Sequence, residues 1–181
     1  RSSRQAAGSW PQIATALGVS AREHLARFEV VQPMYSLVRR QVEVEILPLA
    51  AAEGLGVVTY SPLGGGLLTG KYGSNTRPTT GRLVQNERYA ARYRLSSDYH
   101  TAEQFTALAT DLGVAPASLA VAWVMANPAV TAPIIGARNR EQLAGSLGAL
   151  AVTMTAELYT RIAALSATPP PATDRTETQQ A

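Results

Sequence analysis

The sequence predicts an α/β fold built on a parallel sheet, and three observations carry that expectation. Short β-branched runs alternate with longer stretches of helical periodicity, the pattern of strands joined by crossover helices. Hydrophobic residues make up 46% of the 181 residues, enough for a globular core. The third observation is a strand that runs straight into a glycine-rich segment. Gly56-Val57-Val58-Thr59 is followed by Tyr60-Ser61-Pro62-Leu63-Gly64-Gly65-Gly66-Leu67-Leu68-Thr69-Gly70-Lys71-Tyr72.

Residues 1–10 are polar and open without a clear element. Pro11 to Leu17 reads as a short helix that starts at a proline and stops at Gly18. Phe28 to Gln32 is a short strand halted by Pro33. Arg39 to Ala52 reads as a helix with Val42, Ile46, Leu49 and Glu53 marking one stripe, bent at Pro48 and closed by Gly54. Leu55 to Tyr60 is the second strand. Residues 61–99 form a long irregular insertion rich in Gly, Arg and Tyr, and loops of that length are usually functional or mobile. Thr101-Ala102-Glu103-Gln104 has capping-box spacing and opens a helix through Leu112, ended by Gly113. Pro116 starts another through Ala126, with Leu119, Ala120, Trp123 and Val124 apolar at helical spacing. Val130 to Ile135 is the third strand. Asn139 caps a helix through Leu147, and Thr155 caps a last one through Leu165. One domain over residues 1–166 is expected, with 167–181 a disordered tail. Three parallel strands cannot close on themselves and leave exposed edges, so the chain is expected to be part of something larger or to pair with another chain.

The formal net charge is +3, but Lys71 is the only lysine and the arginines are scattered apart from Arg88, Arg92 and Arg94. Spread-out arginine argues against a nucleic-acid partner. Cysteine is absent, which excludes disulfides and thiolate metal sites and fits a cytoplasmic protein. The two histidines, His24 and His100, have no partner at metal-ligand spacing, so no metal site is expected. No apolar run reaches membrane-spanning length and no signal-peptide pattern opens the chain, so no membrane partner is expected. No P-loop, nucleophile elbow or Rossmann fingerprint is present.

The glycine-rich segment has two readings from its residues alone. Glycines allow positive φ and close backbone approach, and such concavities of N–H groups suit phosphate. A strand ending in an aromatic, a hydroxyl and three glycines then stacks on a ligand ring and holds a pyrophosphate. The other reading is an ordinary glycine-rich turn.

Four motifs in order identify a resemblance. These are Val31-Gln32-Pro33-Met34-Tyr35-Ser36-Leu37, the Gly56–Tyr72 segment, Ser118-Leu119-Ala120-Val121-Ala122-Trp123, and Pro133-Ile134-Ile135-Gly136-Ala137-Arg138-Asn139-Arg140-Glu141-Gln142-Leu143. Together they resemble the C-terminal half of the aldo-keto reductases, NADP-dependent oxidoreductases with a (β/α)8 TIM-barrel fold. The resemblance implies an incomplete barrel comprising about the sixth to eighth strands. It implies that Gln32 bonds the nicotinamide carboxamide and that Tyr60 stacks on the nicotinamide ring. Ser61, Leu63, Gly64 and Gly66 match the pyrophosphate loop, and Lys71 the position beside it. Gly136, Ala137, Arg138 and Gln142 match the adenosine end. Arg138 and Gln142 are four apart and share a face if a helix starts there, and a guanidinium on a 2′-phosphate favours NADPH over NADH. Ser146 stands where relatives often carry Asn, which shortens the reach to adenine.

Reduction of a carbonyl also needs a proton donor. The resemblance places a Tyr, Lys, Asp and His set on strands before the sixth, ahead of residue 1, so no catalytic residue is assigned here. Two functions follow. One is the NADPH-binding half of an enzyme that reduces aldehydes or ketones and is inactive alone. The other is a non-catalytic, dinucleotide-binding regulatory or partner subunit. Tyr89, Arg92 and Tyr93 in the insertion are read as surface residues.

Overall fold

The computed structural model of the chain describes residues 5–6, 10–76 and 78–171. Its sheet has four strands, β1 (Gln5–Ala6), β2 (Val30–Val31), β3 (Gly56–Thr59) and β4 (Ala132–Pro133), all parallel and in chain order across the sheet. The expected three strands are therefore four, because a two-residue strand falls in the segment that reads as having no element. Register is set by Gln5 opposite Val30, Val30 opposite Gly56, and Val58 opposite Ala132. An isolated bridge from Met34 to Tyr60 carries the β2–β3 pairing past the strand ends.

Among the described residues there are eight α-helices. They are α1 (Trp10–Arg22), α2 (Ile46–Ala52), α3 (Arg82–Gln85), α4 (Glu87–Arg92), α5 (Ser96–Asp111), α6 (Pro116–Met125), α7 (Arg140–Leu147) and α8 (Ala156–Ala163). Val31, Val57 and Thr59 are buried on the helix-covered face, in a core shared with Ile13, Leu47, Leu119 and Trp123. Val30, Val58 and Ala132 lie at the alternate positions and are half-buried or exposed. Period-two alternation thus leaves one face of the sheet uncovered.

Several boundaries move from their expected places. α1 runs through Gly18 to Arg22. Ile13 and Leu17 bury one side of it, and that packing outweighs the cost of about 1 kcal/mol for a helical glycine. Two residues past its end, His24 lies in the left-handed region at φ 51, and Leu25 N–H donates to Ser20 C=O at 2.8 Å. The expected bent helix from Arg39 is a 3-10 turn over Gln41–Glu43 followed by α2. Pro48 sits in the first turn of α2, where a missing N–H costs nothing. Gly54 closes α2 at φ 62 and Gly113 closes α5 at φ 65, as expected.

The expected irregular insertion contains a 3-10 segment over Gly64–Thr69, both short helices α3 and α4, and the start of α5. Thr101 is not the cap of α5. It lies inside that helix and donates its hydroxyl to Leu165 C=O at 2.9 Å. The helix caps at Asn139 and Thr155 are present, accepting from Gln142 N–H and Leu158 N–H. Of the expected tail, residues 172–181 lie outside the described residues. Among the described residues, no single helix is long and apolar enough to cross a membrane, although the α5–α6 pair, bent by 101°, passes by length and composition taken together.

Candidate functional site

Because the strands are parallel, the segments leaving their C-terminal ends meet at one edge of the sheet. Gln32 follows β2, Tyr60 through Gly66 follow β3, and Gly136 through Gln142 follow β4. Ligands of open α/β sheets bind beyond such strand ends.

Gln32 and Tyr60 line the same cavity of about 340 Å³, with Met34, Arg39 and Val42. Both are half-buried. Backbone bonds fix their spacing, since Tyr60 N–H donates to Pro33 C=O at 3.0 Å and Tyr35 N–H donates to Tyr60 C=O at 3.1 Å. Tyr35 is itself anchored. Its hydroxyl donates to Glu43 Oε1 at 2.7 Å and accepts from Asn127 Nδ2 at 3.1 Å. Arg40 grips both Glu43 oxygens at 2.9 Å. Burial, reinforced by the bonds to Tyr159 and Glu43, pushes the Tyr35 phenol far above its ordinary range. It stays neutral and serves as a rigid support.

The glycine turn is built from a run of left-handed residues. Ser61, Gly64, Gly65 and Gly66 have φ of 60, 58, 68 and 102°, all left-handed. A non-glycine residue there, Ser61, is costly and clusters at functional sites in proteins generally. Gly64 N–H donates to Ser61 C=O at 3.0 Å, and Gly66 N–H donates to Leu63 C=O at 3.0 Å. Two amides expected to meet phosphate are therefore engaged within the turn, because the left-handed residues fold it back on itself. A Cβ at Gly64 would stand 2.9 Å from Val38 Cγ2, whereas one at Gly66 would meet nothing within 4 Å. The turn is closed on the Gly64 side and open at Gly66. That shape fits the approach of a dinucleotide phosphate.

Behind the turn lies the later part of the insertion, from α3 to the start of α5. A Cβ at Gly65 would stand 3.1 Å from Tyr89 and Tyr93 and 3.2 Å from Leu83. Tyr93 is fully buried, which corrects its reading as a surface residue, and Tyr89 and Arg92 are half-buried. Arg39 stacks over the Tyr93 ring with its guanidinium 4.6 Å from the centroid. Burial, opposed by the charges of Arg39 and Arg92, pushes the Tyr93 phenol up to about 12. Arg39, Tyr93 and Asp98 are the residues that sequence reasoning missed. The ion pair joins positions 59 apart in the chain, and no local pattern announces such a pairing.

At the third strand end, Gly136, Ala137 and Arg138 are exposed. α7 begins at Arg140, so Arg138 precedes the helix and does not share a helical face with Gln142. The two meet instead through a bond from Arg138 N–H to Gln142 Oε1 at 3.1 Å. Arg138 lies near Tyr72, where its charge opposes the raising of that phenol by burial. Lys71 is exposed. Ser146 is only 2% exposed and its buried hydroxyl has no hydrogen-bond partner. Among the described residues, no group of His, Asp and Glu is arranged to hold a metal ion.

Comparison with known proteins adds the remaining findings. The family model of the aldo/keto reductase family matches residues 8–167. The chain is 42% identical over 127 residues to uncharacterized oxidoreductase YrpG of Bacillus subtilis, covering 70% of this chain and 37% of that protein. It is 37% identical over 168 residues to a probable voltage-gated potassium channel subunit beta of Oryza sativa, covering 90% of this chain and 51% of that one. It is 31% identical over 157 residues to protein tas of Escherichia coli, covering 83% of this chain and 45% of that one. The chain thus spans between about a third and a half of the length of these relatives.

Proposed function

This chain belongs to the aldo/keto reductase family, and on that basis we propose that it is the NADPH-binding half of an aldo-keto reductase acting on an aldehyde or ketone. The observation that carries the reading is the convergence of Gln32 and Tyr60 on one cavity at the ends of β2 and β3. The family implies a TIM barrel, and the parallel α/β sheet fits an incomplete one. With β2, β3 and β4 as the sixth to eighth strands, β1 takes the fifth place.

When bound, the nicotinamide supplies hydride to a carbonyl carbon. The chain's own part is to bind and orient. Tyr60 stacks on the ring and fixes the face it presents, and Gln32 bonds the carboxamide. Ser61, Leu63, Gly64 and Gly66 shape the pyrophosphate cradle, open at Gly66, with Lys71 supplying positive charge near it. Gly136, Ala137, Arg138 and Gln142 take the adenosine end, where Arg138 faces the 2′-phosphate. Ser146 stands one turn on from Gln142 at the same end, where its hydroxyl reaches less far toward adenine than an amide would. The proton donor and its Lys, Asp and His companions come from strands outside these residues, so the chain alone does not turn over. The missing half, or a second copy, covers the open sheet face and the exposed Ile134, Leu143, Leu147 and Leu150.

A second reading is favoured by the likeness to the channel subunit beta, which extends over 90% of this chain. On that reading the dinucleotide is retained without turnover, and the chain acts as a partner subunit. Fluorescence titration with NADPH tests both. Tyr60→Ala and Gln32→Ala each weaken binding by about tenfold, the scale of one lost stacking contact or neutral hydrogen bond. Wild type and variants indistinguishable in affinity would refute the site. Loss of NADPH absorbance on adding an aldehyde to the protein completed with an amino-terminal half separates enzyme from partner subunit.

A further inference from the structure

The strongest unassigned feature is a cluster that joins the cavity to the insertion. Arg39 lines the cavity with Gln32 and Tyr60. Its guanidinium forks onto Asp98 at the start of α5, with Nη1 to Oδ1 at 2.9 Å and Nη2 to Oδ2 at 3.1 Å. The same group donates to the carbonyls of Val38 and Arg92. The pair is largely out of water, at 16% and 8% side-chain exposure. The planar face of Arg39 covers Tyr93, whose hydroxyl donates to Met34 Sδ at 3.7 Å and whose ring backs Gly65. The four hydrogen bonds of the fork thus reach three segments: the β2 exit, the end of α4 and the first turn of α5.

We infer that Arg39 is a positioning residue, a brace that clamps the insertion onto the back of the glycine turn and so holds that turn in register with the Gln32–Tyr60 cavity. The inference rests on the dinucleotide reading for its ligand but concerns residues to which that reading gives no role. The physical argument is geometric. Buried Leu67 and Leu68 anchor the far end of the turn in the core, but the hydrogen bonds at its glycine apex stay within the turn. That apex is backed by Val38 at Gly64 and by Tyr93 at Gly65, and Arg39 is bonded to the first and stacked on the second. A planar, bidentate fork does this and a lysine does not, because an ammonium is a point charge without the stacking plane.

The experiment compares wild type with Arg39→Met, which keeps the stem and loses the fork, and Arg39→Lys, which keeps the charge. Two ligands are used, NADPH and the half-molecule 2′,5′-ADP, together with amide hydrogen exchange of Gly64 to Leu68 in the ligand-free chain. A brace predicts about tenfold weaker NADPH binding in Arg39→Met, a coupling of ~1.4 kcal/mol, with 2′,5′-ADP affinity unchanged and an intermediate value for Arg39→Lys. It also predicts about tenfold faster exchange across the glycine turn, with helix α6 unaffected. Parallel losses for both ligands, or unchanged exchange at the turn in a folded variant, overturn the inference. Wild type that binds neither ligand overturns the dinucleotide reading, and the exchange measurement still decides the brace.

Discussion

The contact between Gly64 and Val38 gives a prediction with both sign and size. Alanine at Gly64 must adopt φ 58°, which costs an L-residue about 1–2 kcal/mol. Its Cβ also falls 2.9 Å from Val38 Cγ2, and overpacking of a tight core adds about 1–3 kcal/mol. The single variant is therefore expected to lose about 2–5 kcal/mol. Val38→Ala removes buried methyl groups at a site 7% exposed and loses roughly 1–3 kcal/mol. In the double variant the overpacking disappears while the backbone strain stays. Its loss should fall short of the sum of the singles by about 1–3 kcal/mol. Urea unfolding of the four proteins measures this, with the m-value checked for constancy. Additivity within about 0.5 kcal/mol would refute the claim that the turn is wedged against Val38.

Other outcomes follow from the same structure. The Tyr93 phenol is raised to about 12 from an ordinary value of about 10, so the folded state holds its proton more tightly than the unfolded state does. Its contribution is fully present below about pH 10 and is lost as pH rises toward 12, with Tyr35 acting in the same direction. Alkaline unfolding followed by tyrosinate absorbance should reach its midpoint at higher pH in Tyr93→Phe, and an unchanged midpoint contradicts this. Asn139→Ala and Thr155→Ala each remove a side-chain cap and should cost about 1 kcal/mol in the same urea assay. Leu143, Leu147 and Leu150 are 43%, 48% and 75% exposed, so the chain by itself should associate, and Leu147→Asp should reduce that in light scattering. A monodisperse wild-type monomer with a sharp melt contradicts it.

Local signals in the sequence were legible wherever the physics is local. The side-chain caps at Asn139 and Thr155, the closing glycines at 54 and 113, and the start of α6 at Pro116 lie where expected. Errors arose where tertiary contacts override propensity. Gly18 is carried through α1 by the burial of Ile13 and Leu17, and Thr101 was taken from its capping role by Leu165. β1 is two residues long and exists only through its pairing with Val30 and Val31, so no periodicity could reveal it. At the site, glycine spacing and the residues after each strand end were readable, and Gln32 and Tyr60 do share a cavity. The burial of Ser146 and of Tyr93 was not, because it depends on which neighbour covers an amphipathic residue.

The most direct test is calorimetric titration of NADPH into the 181-residue chain, alone and co-folded with the amino-terminal half of the Bacillus subtilis relative. Saturable binding of one NADPH per chain in the completed protein, abolished or strongly weakened by combining Gln32→Ala with Tyr60→Ala, is the predicted result. No heat of binding from a folded, completed protein would contradict the account.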